Sequence, residues 1–481
     1  MAVGPTLGTG LFIGSGQALA VGGPASLLCS YVFISVLIYC LTTATAEIAA
    51  HMPAHNGTML SHTYRFASTH LGFSLGYLRW YSMALLVPFE ITNAMAALSL
   101  WEPGALVAVR VGIVAAIILG FNMLPETIFK RMETFFTGVK LVTAIGLILL
   151  STILAARGIP GTPVRGFYYW RHPGAMNQYL TPGHLGRFLG LVQCVLYSTI
   201  SFIFSPELTV VRAEKADGET GSSVLKVAQI DNIHLCALYI LSALAMGVVS
   251  PSDEPLLTNY GTGAGLSPYV VGIRRARIPV LPVFATTLIF LSSMASARSF
   301  LFVSSRTLCS LAEAGHAPAL FKDRNRWGVP YVSVIVSSFF TGLAYLCLRL
   351  SVSVVFNFLM YFITTSGYIS WLCSCILYLR FRRTTKAQGF VRVHQTFVQP
   401  YGAYFAILVC TVLFLANLLM TVIPSKDALR DPIAVYLGIL TFLLLYIGHS
   451  AKYPFSRIAD SEAGEQCSET IEIPHPRVPP L

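Results

Sequence analysis

The composition of this 481-residue chain is that of a membrane protein: 55% of its residues are hydrophobic, 11% are charged, and its mean hydropathy is +0.67. A soluble globular domain is about 25% charged, so this composition excludes a string of ordinary soluble domains. The net charge of +11 comes mostly from Lys and Arg in short connectors between apolar blocks. That distribution argues against a nucleic-acid-binding face, which needs its basic residues on one surface.

Apolar blocks of about 20 residues, the length of helix that crosses a bilayer, recur along the sequence. They predict an all-α integral membrane protein with about 12 transmembrane helices in a transporter domain of residues 1–451. Segment 452–481 is acidic and ends in prolines, so it is predicted to be a disordered cytoplasmic tail. The predicted spans are 2–21, 24–48, 75–99, 105–123, 134–156, 187–211, 232–250, 280–303, 330–350, 354–379, 402–423 and 432–450.

The basic connectors predict the orientation of these spans. Lys130 and Arg131, the group at 322–326 and the run at 380–386 fall on one side of the predicted membrane. Connectors rich in Lys and Arg lie in the cytoplasm, and an even number of spans places both termini on the same side. Both termini are therefore expected to be cytoplasmic.

Two apolar blocks contain residues that interrupt a helix. The first block contains Gly8, Thr9 and Gly10, where glycine weakens the helix and lets a ligand approach the backbone. The sixth block contains Pro206, which removes a backbone donor and clashes with the preceding turn. Broken backbone at bilayer depth is tolerated only inside protein or beside a watery cavity. We therefore predict two broken helices that face each other, although close helix packing and a simple proline kink remain the alternative.

Broken helices of this kind provide binding groups for a zwitterion. The N-terminus of a half-helix attracts an anion, and carbonyl groups freed by unwinding attract a cation. Interrupted helices in matching positions are typical of inverted-repeat transporters with a site near the membrane midplane. An amino acid, with its carboxylate and its ammonium group, is the expected substrate.

Several ionisable residues fall inside apolar blocks. Lys140 lies within a span, where a centred lysine costs about 3 kcal/mol, so it is interpreted as a functional residue unless it snorkels toward the interface near Lys130. Glu90, just after Pro88, is expected to line a side-chain pocket or to pair with an inward-facing donor. Glu207 is expected to satisfy loose backbone amides around the second break in preference to contacting the substrate.

Arginine, aromatic and histidine residues add further expectations. Arg298 is expected to face a cavity, a partner carboxylate or the cytoplasmic end of its helix. Aromatic residues near the second break and in the tenth span are candidates for a lid over the substrate, with plain packing as the alternative. The aromatic candidates are Phe202, Phe204 and Phe362. Four histidines share one connector without thiols or carboxylates beside them, which indicates a solvated loop and not a metal site. These histidines are His51, His55, His62 and His70.

Long strings of this sequence resemble the fungal amino-acid permease family, within the amino acid–polyamine–organocation superfamily. The resemblance covers nearly the whole chain and rests on GTGLFIGSGQALAVGGPASLL at 8–28, VPFEIT at 87–92, SSRTLCSLAEAGHAP at 304–318, YLRFRRTTKAQG at 378–389 and PYGAY at 400–404. It implies proton-coupled amino-acid uptake by alternating access, with the plasma membrane as the expected location. It also implies a five-plus-five inverted repeat, with repeats at about 1–156 and 187–379 and two further helices at about 402–450.

The resemblance also implies a set of site residues. Backbone amides of Gly8, Thr9 and Gly10 would bind the substrate carboxylate, and Lys140 matches a lysine of the fifth helix that is a proposed proton carrier in the superfamily. The expected substrate site is completed by Ile203, Phe204, Ser205 and Glu207, with Glu90, Phe202 and Phe362 in the side-chain pocket.

The chain departs from the family pattern at several places that bear on substrate choice. It reads Ile203-Phe204-Ser205-Pro206-Glu207 where the family has Phe-x-Gly-x-Glu, and it has Arg298 and Phe362 where asparagines are expected. A polyamine- or choline-type carrier and a non-transporting nutrient sensor therefore stay open as alternatives. The sequence contains no hydrolase elbow, zinc pair or phosphate-binding loop, so no enzymatic activity and no cofactor are predicted, and a gradient is expected to drive any uptake.

Overall fold

The structure is a computed structural model, and it describes residues 10–51, 63, 68–98, 107–157, 166–216, 221–258, 265–276, 278, 280–388, 395–422 and 430–453. Every regular element in these ranges is a helix. The expectations for Gly8, Thr9, His55 and His62, and for most of the tail, lie outside the described residues.

The described chain forms a series of long helices with a few short ones between them. A π-helical turn at Gly10–Gly14 opens the described residues, and 3-10 helices lie at Pro255–Thr258, Ala319–Lys322 and Phe339–Leu348. The α-helices are α1 Ser15–His51, α2 Thr69–Leu98, α3 Val107–Asn122, α4 Glu126–Arg157, α5 Tyr168–Arg171, α6 His184–Thr199, α7 Ser205–Ala216, α8 Gly221–Val249, α9 Pro268–Arg275, α10 Leu281–Glu313, α11 Tyr331–Ser338, α12 Val352–Ala387, α13 Tyr401–Val422 and α14 Arg430–Lys452.

The lengths and apolar content of these helices are those of a multi-pass membrane protein. Nine helical stretches of the described residues are long and apolar enough to cross a bilayer, and α3 is a shorter apolar helix. The most apolar window of α2 is 89% buried by protein, whereas that of α14 is 17% buried. Helix α2 therefore lies in the centre, and the apolar side chains that α14 exposes face lipid. The prediction of an all-helical membrane protein is confirmed, whereas the count of twelve and the inverted repeat stay predictions.

The first two predicted spans join without a loop. Gly23 has φ 83° and ψ 172°, a conformation that is essentially restricted to glycine, and it kinks the first third of α1. Residues of the segment before α6 bond to the backbone on both sides of this kink: Ala25 N–H donates to Ala175 O at 2.9 Å, and Asn177 N–H donates to Gly22 O at 3.0 Å. The polar groups that the kink exposes are thus satisfied inside the protein.

Other predicted boundaries need correction. The span predicted at 187–211 is two helices, α6 and α7, and the span predicted at 330–350 is α11 followed by a 3-10 helix. Lys130 and Arg131 lie in the first turns of α4 and not in a connector. The short helices α5 and α9 were not predicted, because neither lies within an apolar block of the sequence.

Two groups of helices surround the broken segments. Helix α1 packs along α6 and α8, and α2 packs along α10 and α12. The π-helical turn and the break between α6 and α7 lie where these two groups meet. Residues of the turn, the break, α2 and α10 line one cavity there.

Candidate functional site

The first helix starts with a wide turn pressed against the second break. All five residues of Gly10–Gly14 are buried, and their π-helical winding leaves a wider turn than an α-helix does. A Cβ atom on Gly10 would lie 3.0 Å from the Cα atom of Ser201 and 3.1 Å from its N atom. Only glycine permits this approach without movement of backbone.

The second break covers residues 200 to 204. Helix α6 ends at Thr199 and α7 begins at Ser205, so Ser205 and Glu207 are in the first turn of α7, directly after the break. Pro206 explains the position: it has no N–H for the carbonyl of Phe202, and its ring would collide with that carbonyl in a continuous helix. The Phe202 carbonyl instead accepts from Ser205 N–H at 3.0 Å and from Ser205 Oγ at 2.8 Å. Pro206 therefore starts a new helix and does not merely kink one.

Aromatic side chains of neighbouring helices bond to the backbone of this break. The Tyr239 hydroxyl donates to Ser201 O at 3.2 Å, and the Trp371 indole N–H donates to Ile203 O at 2.9 Å. The Ser201 hydroxyl is also 3.2 Å from the Tyr31 hydroxyl. The carbonyls of Ser201 and Ile203 therefore each accept a hydrogen bond from a side chain of a distant helix.

A pocket lies between the π-helical turn at Gly10–Gly14 and the break at 200 to 204, and its empty space is about 360 Å³ when the open solvent at its mouth is included. It is lined by Gly10, Leu86, Phe89, Glu90, Ile200, Ser201, Ile203, Phe204, Ser205, Leu208 and Phe300. The lining comes from the start of the first helix, from α2, from the second break with α7, and from α10. It contains one acidic side chain, that of Glu90, which is buried, and none of the lining residues is basic.

The cavity includes only part of the predicted site. The predicted residues that line it are Gly10, Glu90, Ile203, Phe204 and Ser205. Phe202 points elsewhere and packs edge-on against Tyr239 with ring centroids 4.6 Å apart. Phe362 packs against Tyr81 at 5.8 Å. Of the three aromatic lid candidates, only Phe204 is among the lining residues.

Glu207 pairs with side chains and is not among the cavity-lining residues. Its carboxylate lies 3.0 Å from the Arg79 guanidinium and accepts from Ser370 Oγ at 2.8 Å. These partners belong to α2 and α12, so Glu207 joins α7 to two other helices. Glu207 therefore has side-chain partners where the sequence predicted loose backbone amides.

Lys140 and Arg298 are buried but are not among the residues that line the cavity. The side chain of Lys140 is buried and its Nζ donates to Ser296 Oγ at 2.6 Å, so it does not snorkel to the interface. It interacts electrostatically with Glu133 and with Glu90, which lines the cavity. Arg298 pairs with Glu133, so of the three expected environments it has a partner carboxylate. It does not line the cavity.

Some cavity residues were not predicted. Leu86, Phe89 and Glu90 share one face of α2, because they are spaced by three and four residues. Once Glu90 is predicted to line the cavity, the same spacing predicts Leu86 and Phe89. Ile200 and Ser201 directly precede the predicted break. Phe300 has no local signal, because only the packing of α10 against α2 brings it to the cavity.

The connector histidines are also placed differently from the prediction. His51 Nδ1 is 2.8 Å from Glu47 O, and its ring packs against Phe381. His70 Nδ1 is 2.7 Å from Nδ1 of His449 at the end of α14. Both described histidines therefore make contacts with protein, where a solvated loop was expected.

The sequence of the whole chain decides the family. The model of the family described as "Amino acid permease" matches residues 1–459. The chain belongs to the amino acid permease family. Relatives of this amino acid permease include a proline-specific permease of Emericella nidulans, 34% identical over 94% of this chain and 83% of the relative, and a proline-specific permease of Saccharomyces cerevisiae, 34% identical over 93% and 73%. A dicarboxylic amino acid permease of Saccharomyces cerevisiae is 31% identical over 94% and 76%. The family resemblance drawn from the sequence is confirmed.

The fold of this amino acid permease is also found in a solved transporter. A crystal structure of an Eremococcus coleocola manganese transporter is similar with a TM-score of 0.56 over 93% of each chain, at 16% identity. At this identity the likeness shows the fold alone. The permease is an integral, multi-pass membrane protein of a family of amino-acid transporters.

Proposed function

We propose that this protein is a proton-coupled secondary transporter that carries a small, apolar amino acid, with L-proline as the first candidate, by alternating access. The observation that carries the proposal is a pocket between the π-helical turn of the first helix and the break that follows α6, with mostly apolar walls and one carboxylate. Interrupted helices around a central cavity are the arrangement in which such carriers bind their solute. The plasma membrane, with both termini in the cytoplasm, is the proposed location.

The cavity offers a partner for each part of such a substrate. The backbone amides of Gly8, Thr9 and Gly10 would bind the carboxylate, by the family resemblance; of these residues the structure describes Gly10, which lines the cavity. Glu90 would bind the amine group. Phe89 and Phe300, which belong to two helices and both line the cavity, would contact the apolar side chain.

The lining residues favour a neutral side chain over a charged one. An acidic substrate needs a cation at its second carboxylate, and none of the lining residues is basic. Arg298, the nearby cation singled out in the sequence, is paired with Glu133. A lysine substrate needs an acid for each of its two ammonium groups, and Glu90 is one acid. Among the substrates that name the relatives, proline therefore fits this chemistry best.

Lys140 is the proposed proton-coupling residue. It is buried, it bonds to a neutral hydroxyl, and it interacts electrostatically with the cavity carboxylate Glu90. A buried lysine can exchange its proton during a cycle, since burial penalises its charged form. Because Glu90 interacts with Lys140 and lines the cavity, a proton on Lys140 and an amine in the cavity would influence each other.

Transport by the purified protein in lipid vesicles tests this function. We expect saturable uptake of labelled L-proline that an inward proton gradient increases, with weak competition by glutamate and lysine. Lys140→Gln should remove the stimulation by the gradient. Lys130→Gln is the matched control, because Lys130 lies on the same helix but is exposed and pairs with Glu126 at 2.9 Å. Gradient-stimulated uptake that survives Lys140→Gln would exclude Lys140 as the coupling residue.

An amine carrier of the same fold is the second candidate function. The observation that favours it is the lining itself, which has one acidic residue and no basic one, as a site for choline or a polyamine would need. The same vesicles separate the two functions. Inhibition of proline uptake by L-proline analogues with a free carboxylate supports an amino-acid site, whereas uptake of choline or putrescine without proline uptake supports the amine carrier.

A further inference from the structure

One face of α4 carries both charged and aromatic side chains toward α10. Phe129, Glu133, Phe136 and Lys140 follow one another at spacings of four, three and four, which places them in one stripe along the helix. Phe129 stacks on Phe302 of α10 with ring centroids 4.0 Å apart. The stripe therefore forms an interface between α4 and α10 and does not face lipid.

The guanidinium of Arg298 is enclosed by this stripe. The Arg298 side chain is 2% exposed, it pairs with the Glu133 carboxylate, and it lies 4.3 Å above the centroid of the Phe129 ring and 5.2 Å from that of Phe136. Ser299 Oγ donates to the same Glu133 oxygen at 2.7 Å. Two donors of α10 thus hold the Glu133 carboxylate in place.

Glu133 has a second cation within its electrostatic reach. Lys140 lies two turns further along α4, and its interactions include attraction to Glu133 and to Glu90 and repulsion by Arg298. The hydroxyl that Lys140 bonds to belongs to Ser296, two residues before Arg298. Two cations and two carboxylates therefore interact in one region, in which Lys140, Arg298 and Glu90 are buried and Glu133 is 20% exposed, and Glu133 is the carboxylate on which both cations act.

We propose that Arg298 is a positioning residue for proton coupling. By pairing with Glu133, Arg298 of α10 keeps this carboxylate of α4 from pairing with Lys140 and stabilising the protonated form of the lysine. The inference rests on the proposed coupling role of Lys140. A carboxylate that paired fully with Lys140 would keep it charged through the cycle, whereas a carboxylate already paired with Arg298 leaves Lys140 able to release its proton. Glu90 is then the carboxylate that interacts with both Lys140 and the substrate amine.

Other ionisable groups also lie on the helices that pack against α4. On α10, Arg306 is half-buried and lies over the Phe302 ring, and the buried groups on α8 and α9 are Cys236, Tyr239 and Tyr269. Helix α8 contributes Lys226 and His234, which are exposed, and Asp231, which is half-buried. Helix α9 contributes Arg274 and Arg275, which are exposed. The groups that act on Lys140 from inside the protein are Glu133, Glu90 and Arg298.

The pH profile of proline uptake by the full chain in vesicles tests this role. Arg298→Gln should move the midpoint of the profile to higher pH by about one unit, because Glu133 is then left to Lys140. Glu133→Gln should move it to lower pH, because Arg298 then repels Lys140 without compensation. Arg298→Lys keeps a charge at the site and should keep the midpoint near that of the wild type. The double variant E133Q/R298Q removes both charges and should return the midpoint toward the wild-type value.

A structural role would give a different result. If the pair only stabilises the interface between α4 and α10, the variants lower the amount of folded protein or the maximal rate, and the midpoint stays fixed. Should Glu133→Gln fail to fold because it leaves Arg298 buried and unpaired, Arg298→Gln and the double variant still decide. Lys140→Gln separates the two proposals. If Lys140→Gln loses its pH dependence while Arg298→Gln and Glu133→Gln keep the wild-type midpoint, the positioning role alone is overturned. If pH dependence survives in Lys140→Gln, the coupling role itself is overturned.

Discussion

Gly10 is where the start of the first helix comes closest to the break between α6 and α7. Gly10→Ala would add a Cβ atom 3.0 Å from the Ser201 Cα, so backbone must move and the cavity changes shape. Overpacking of this kind costs about 1–3 kcal/mol, and we expect proline uptake to fall about tenfold or more. Gly14→Ala is the matched control in the same turn, because its added Cβ meets Ile200 at an ordinary 3.4 Å. Equal uptake by the two variants would contradict the close approach.

Glu90 is the acidic residue among those that line the cavity, and the proposed binding of the substrate amine depends on it. Glu90→Gln keeps the shape of the side chain but removes its charge, which would otherwise form a charge-assisted hydrogen bond with the substrate amine. We expect the KM for proline to rise about tenfold, with the melting temperature in detergent little changed. An unchanged KM would show that the amine is bound elsewhere.

At the scale of elements, Glu207 holds α7 in position. Glu207→Gln would leave the Arg79 guanidinium, 17% exposed, without its carboxylate, and breaking a buried pair in this way costs about 3 kcal/mol. We expect a lower melting temperature of the purified protein. Arg324→Gln breaks a pair whose side chains are 54% and 38% exposed, so it should change stability by less than about 1 kcal/mol. Similar losses from both variants would mean that the Glu207 pair is not a structural bond between helices.

The kink of α1 gives a second prediction at this scale. Gly23→Ala would force a side chain into a left-handed conformation and place its Cβ 2.8 Å from Ala175 O. We expect a loss of about 1–3 kcal/mol of stability, seen as a lower melting temperature and a lower yield of folded protein. Gly146→Ala is the control, since a Cβ there meets nothing within 4 Å and alanine favours a helix. A Gly23→Ala variant as stable as Gly146→Ala would contradict the kinked geometry.

The elements of this protein differ in how far the sequence predicts them. Apolar blocks predict the long helices, and Pro206 predicts that the sixth block is interrupted, because proline has a local effect on the backbone. The exact residues of the break depend on the donors from Tyr239 and Trp371, which belong to distant helices. For the same reason the sequence placed Phe202 and Phe362 in the pocket, although their rings pack against Tyr239 and Tyr81.

The whole molecule combines a predictable membrane fold with a site that depends on packing. Length and apolar content suffice to indicate a multi-pass helical protein, and the long strings of residues suffice for its family. Cavity residues such as Phe300 come from contacts between α2 and α10, which no local pattern reports. Charge pairing likewise brings Arg298 to Glu133, and Arg298 is not among the residues that line the cavity.

The most direct test of the account is an experimental structure of the purified protein with bound L-proline. We expect ligand density between Gly10 and the break at 200 to 204, with the amine of the ligand within hydrogen-bonding distance of the Glu90 carboxylate. Ligand density outside this cavity, or a continuous helix through residues 199 to 205 that faces lipid, would contradict the account.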